Sequence, residues 1–69
     1  MSDDHVVGKV ARVTGAIAPG TVGEVMLPVR GGVEAYYAYS AEGESIEKGA
    51  RVLVVDHEPP RTVIVSRYP

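Results

Sequence analysis

The stretch Ser45 to Asp56, SIEKGARVLVVD, constrains the fold more than any other part of the 69-residue chain. Ile46 stands alone as an apolar residue, Glu47-Lys48-Gly49 reads as a tight turn closing on a glycine free to take positive φ, and Arg51 to Asp56 reads as a strand. A strand this dense in β-branched residues packs well on a pleated surface and poorly in a helix. The remaining segments are therefore expected to be strands that pair with it.

The rest of the composition agrees. Thirteen valines, with no Trp and no Phe, describe a small core of branched aliphatics. A chain of this length holds one domain, close to the size at which a single core just suffices, with about 3 to 10 kcal/mol of stability to expect. With no cysteine, neither a disulfide framework nor a thiolate zinc site is available. A net charge of −2 has the wrong sign for non-specific phosphate binding. No run approaches the ~18 apolar residues of a membrane span. The opening MSDDHVV lacks the basic and apolar regions of a signal peptide, so the chain reads as a soluble piece, either free-standing or excised at a linker.

Taken in order, Met1 to His5 is a flexible polar segment and residues 6–69 form the domain. Val6 to Thr14 is the first strand. Val10 and Val13 fall on opposite parities, and a bulge near Ala11 and Arg12 would reconcile them while bending the strand to serve two sheets. Gly15 to Gly20 is a loop whose Ile17 is expected to fold back onto the end of the domain. Thr21 to Arg30 is a clean alternating strand with Val25, Leu27 and Val29 on one face, and Pro28 should turn its nitrogen away from a ladder. The following hairpin is expected to use a three-residue loop, Arg30 to Gly32, because the alternative turn at Gly31-Gly32 places Glu34 opposite Val29 on the inner face. That register pairs Val29 with Val33, Leu27 with Ala35 and Val25 with Tyr37. Strand Val33 to Ala41 then points Tyr37 and Tyr39 inward and Tyr36 outward beside Met26. After the loop His57 to Arg61, Thr62 to Arg67 is the fifth strand. The expectation is all-β: a small five-stranded Greek-key barrel of the OB type, partly open, with an SH3-like barrel as competitor.

Chemistry is sparse. Glu42, Glu44 and Glu47 lie in a polar connection with nothing to tune an acid or base. Ser40 and Ser45 near Lys48 lack the cleft and oxyanion site that a serine nucleophile needs. Asp56, His57 and Glu58 are consecutive, and neighbouring residues of a strand point to opposite faces, so they do not converge on one metal ion; His57 is read as an exposed strand-end residue. Gly20 to Gly23 lacks the basic residue and helix of a phosphate loop. Lys48 lacks the flanks of a biotinyl or lipoyl lysine. The chain is thus read as non-enzymatic, with no catalytic, cofactor or metal site. Met26, Arg30 and Tyr36, residue types enriched in interfaces, form the candidate protein-contact patch. Tyr36, Tyr37 and Tyr39 with Arg12 and Arg30 leave single-stranded nucleic acid as the alternative.

GKVARV at Gly8 to Val13, the Pro19-Gly20 loop, the hairpin through Gly23 to Ala38, SIEKGARVLVVD and the final TVIV at Thr62 to Val65 together resemble the C-terminal soluble domain of NfeD-like membrane proteins. Ile46, Lys48, Gly49, Val52 and Val54 in their spacing are the most specific part. The resemblance implies an OB-type barrel attached to transmembrane helices absent from this chain. It also implies a membrane-associated role accessory to stomatin- or flotillin-like partners in membrane protein quality control or protease regulation. Longer members carry a serine-protease domain, of which this chain has none. The tyrosine-rich AYYAYS matches no functional residue of the family, so no site is carried over.

Overall fold

The computed structural model describes residues 6–68; the flexible segment expected at residues 1–5 lies outside them. Five strands follow one another: β1 Val10–Gly15, β2 Gly23–Val29, β3 Gly32–Ser40, β4 Arg51–Glu58 and β5 Thr62–Arg67. They close in the order β1-β2-β3-β5-β4, with β1 returning to β4. All neighbours are antiparallel except β3 and β5. This is the OB arrangement of a Greek-key barrel, closed rather than partly open.

β1 serves both sides of the barrel, as expected. Arg12 is opposite Met26 on β2 and opposite Arg51 on β4. The expected bulge near Ala11 is not where the ladder breaks, because the register shift lies between Val13 and Gly15. Ala11 and Val13 share the inward parity and are buried, while the half-buried Val10 faces out. No bulge is needed to reconcile two valines when one of them belongs to the surface.

The core is Ala11, Val13, Val25, Leu27, Tyr36, Ala38, Val52, Val54, Val63 and Val65, closed at its ends by loop residues. At one end Ile17 and Ile46 exchange backbone hydrogen bonds of 2.9 and 2.8 Å, and both side chains are fully buried. Gly23 lies under this plug: a Cβ there would stand 2.5 Å from the Gly15 carbonyl oxygen and from Ile17 Cγ1. The turn at Glu47 to Ala50 holds Ile46 in place, with Gly49 at φ 95° donating its amide to Val13. Val6 is fully buried at the opposite end, preceding β1 where Ile17 follows it.

The β2–β3 hairpin departs from its expected register. Its turn is Arg30 and Gly31, with Gly31 at φ 85°, and the pairs are Val29 with Gly32, Leu27 with Glu34 and Val25 with Tyr36. A slip of one residue moves every side chain of a strand to the other face. Tyr36 is therefore inside, 7% exposed, and Tyr37 and Tyr39 are outside. Glu34 shares the inward parity without being buried, because β5 pairs with β3 only from Tyr37 onward and the hairpin overhangs the barrel. There Glu34 reaches Arg61 at 3.0 Å.

Candidate interaction surface

Strand alternation and this register leave β3 with an outward row of Val33, Ala35, Tyr37 and Tyr39. Val33 is 60% exposed, Tyr37 58% and Tyr39 42%. Across β2 they face Pro28, Met26 and Glu24 in turn, and across β5 Tyr37 and Tyr39 face Thr62 and Ile64. Glu24 is held beside Tyr37 by the Thr14 hydroxyl, which donates to Oε1 at 2.8 Å. The row is apolar and aromatic, bordered by Glu24 and Arg61 beside Tyr37 and by Arg12 and Arg51 in the depression that Val33 lines.

The overhanging end of the barrel is polar. A register shift between Val54 and Asp56 carries His57 into the inward position opposite Val63, and the Asp56 carboxylate accepts the His57 amide at 2.8 Å. His57 is accordingly half-buried and not the exposed strand-end residue expected from simple alternation. Its ring meets Tyr36 edge-on at 6.0 Å, and its Nε2 is enclosed without a hydrogen-bond partner. The Arg61 guanidinium lies 5.3 Å from the Tyr36 ring centre and donates to Glu34 and to the Ala35 carbonyl. At the other end Arg67 grips Glu47 with two nitrogens, at 3.3 and 3.2 Å, and donates to the Ser45 carbonyl at 3.1 Å. The hydrogen bond from Arg67 holds the Glu47 carboxyl below its usual range, helped by the Glu47 backbone and by the guanidinium charge; Glu47 in turn raises Arg67. Lys48 is exposed at the turn. Among the described residues no three His, Asp or Glu side chains group around a metal-sized site.

The three residues chosen from sequence are not brought together. Met26 is half-buried on the outer face, Arg30 is exposed at the hairpin tip beside Lys9 and Glu34, and Tyr36 is in the core. Tyr37 and Tyr39 occupy the outward place expected for Tyr36. Pro28 is compatible with this register and equally with the expected one, since Val29 closes the hairpin in both. With Val29 and Gly32 as the hydrogen-bonded closing pair, Pro28 pairs with Val33 at a position whose nitrogen points away from β3.

The family model for the NfeD C-terminal domain matches residues 10–66, spanning all five strands. The chain belongs to the NfeD C-terminal domain family. This NfeD domain is similar in structure to the soluble domain of the NfeD protein YuaF from Bacillus subtilis, with a TM-score of 0.84 at 29% identity, covering 96% of this chain and 77% of that one. It is also similar to the C-terminal domain of stomatin operon partner protein 1510-C from Pyrococcus horikoshii, with a TM-score of 0.73 at 33% identity, covering 100% of this chain and 97% of that one. No curated protein sequence matches it. Among the described residues no helix is long and apolar enough to cross a membrane.

Proposed function

We propose that this NfeD domain is a non-enzymatic protein-interaction module, carried by a membrane-bound parent protein. Its partner is a stomatin- or flotillin-like membrane protein, and its role is accessory to membrane protein quality control or protease regulation. The outward row of Val33, Tyr37 and Tyr39 carries this reading, since a chain of −2 net charge exposes on one strand the residues that interfaces use. The similarity to a domain named as a stomatin operon partner supports the choice of partner. The net charge of −2, with Glu24 beside Tyr37 offsetting the neighbouring Arg61, favours a protein partner over single-stranded nucleic acid.

The test is co-purification of the chain with a membrane-embedded stomatin-like protein, comparing the wild type with the double variant Tyr37→Ser, Tyr39→Ser. Both residues are exposed, so the fold should survive, and capture should weaken roughly tenfold or more if they are anchors of the interface. Capture unchanged by the double variant, in a chain shown to be folded, would remove β3 from the interface. Salt-sensitive retention on single-stranded oligonucleotides, lost in the same variant, would replace the reading with nucleic-acid binding.

A further inference from the structure

The outer face of β1 holds an arrangement that the fold alone does not require. Arg12 and Arg51 are direct partners on neighbouring antiparallel strands, both exposed, so both guanidinium groups rise from the same face. Like charges directly opposite one another destabilise a sheet. Neither arginine joins the ion pairs found among the described residues, which use Arg61 and Arg67. The Arg51 guanidinium lies 5.7 Å from the ring centre of Tyr68. The two cations line a shallow groove of about 300 Å³ together with Val10, Ala11, Met26, Pro28 and Val33. Val10 is outward because Ala11 and Val13 take the inward parity, and Pro28 offers the groove a ring and no amide donor.

We infer that this groove binds an extended, acidic and aliphatic segment of a partner protein, with a carboxylate held between Arg12 and Arg51 and the neighbouring side chain laid over Met26 and Val33. Two guanidinium groups approaching from adjacent strands suit a planar carboxylate, which accepts from both forks at once. Bringing in that negative charge removes the cross-strand repulsion, so the ligand relieves a cost built into the empty groove. An anionic bilayer is the poorer occupant: surface attraction takes a cluster of about four to eight cations, whereas this face offers a pair on a chain of net charge −2. The inference rests on the interaction-module reading above and gives that reading a ligand chemistry.

The experiment is amide chemical-shift titration of the isotope-labelled 69-residue chain. The probes are the peptide acetyl-Leu-Glu-Leu-Glu-Leu-amide, its glutamine counterpart, and vesicles of phosphatidylcholine with phosphatidylglycerol. The acidic peptide should shift Val10, Arg12, Met26, Val33 and Arg51, and bind roughly tenfold tighter than the glutamine peptide, as expected for one charge-assisted contact. The double variant Arg12→Gln, Arg51→Gln should stay folded, being relieved of repulsion, and lose that preference. Equal binding of the two peptides, shifts centred elsewhere, or no shift at millimolar peptide would each overturn the inference. So would vesicle binding that disappears in the arginine variant, which would assign the pair to lipid. Co-purification separates the two readings. Partner capture lost in the Tyr37, Tyr39 variant but untouched in the arginine variant sinks the groove and keeps the module. Peptide binding at the groove without capture of any stomatin-like protein keeps the groove and sinks that partner.

Discussion

The two ends of the barrel are closed by different means. At the Ile17–Ile46 end, two fully buried aliphatics are tied together by reciprocal backbone hydrogen bonds over a glycine with no room for a methyl group. At the opposite end, Val6 is joined by a tyrosine, a half-buried histidine with an unpartnered nitrogen, and an exposed arginine-glutamate pair under an overhanging hairpin. Each end carries an exposed ion pair at its rim, Arg67–Glu47 at the first and Arg61–Glu34 at the second, but the first is filled by aliphatic side chains, whereas the second encloses the unpartnered His57 Nε2. Stability should reside mainly at the first.

The sharpest way to break that comparison is to open the plug. Ile46→Ala should cost about 2 to 5 kcal/mol, a typical penalty for emptying a large buried aliphatic site. Against a total of about 3 to 10 kcal/mol, this leaves a marginal fold, read as a collapse of the urea midpoint. Gly23→Ala comes next, at about 1 to 3 kcal/mol, because the added methyl group meets the Gly15 carbonyl and Ile17 and one of them must move. At the polar end, Arg61→Ala should cost only about 1 kcal/mol, the sum of a solvated ion pair and a cation–π contact. If Arg61→Ala proved more costly than Ile46→Ala, the ranking of the two ends would be reversed.

The smallest effect concerns pH. The Glu47 carboxyl is held low in the folded chain by Arg67, so the unfolded chain binds its proton more readily in acid. The contribution of this pair is therefore complete above the ordinary carboxylate range and fades as pH falls through and below it. Glu47→Gln should flatten that part of the stability-pH profile slightly, in urea titrations between neutral pH and pH ~3. An unchanged acid limb would show the fully solvated fork to be without weight.

The apolar end was legible in the sequence. Ile46 isolated before Glu-Lys-Gly and Ile17 between loop residues had no solvent-facing purpose, and both are buried plugs. Strand β5 is found over the expected residues, Thr62–Arg67, while β4 runs on past Asp56 to Glu58. The NfeD resemblance, and the OB order it implies, are borne out by the family match and the closed barrel. The polar end was not legible, and two one-residue events explain why. Avoiding an inward glutamate made the expected hairpin loop one residue too long, Arg30 to Gly32 in place of Arg30-Gly31, and exchanged the roles of Tyr36 and Tyr37, although an inward-parity Glu34 is harmless where the hairpin overhangs the barrel. The irregularity at Val54 to Asp56 then turned His57 inward, a step invisible to strict alternation. Binary patterning finds strands well, but it assigns faces correctly only where no residue is inserted.

The return of β1 to β4 also sets an order of events during synthesis. β1, β2 and β3 emerge first and can pair as a meander, but the second partner of β1 begins only at Arg51, and the parallel partner of β3 follows at Thr62. Until then Ala11, Val13, Val25 and Leu27 line an uncovered sheet with two open edges. The nascent chain is therefore most exposed to wrong pairing, and most in need of shelter by the ribosome or a chaperone, until its last two strands have emerged.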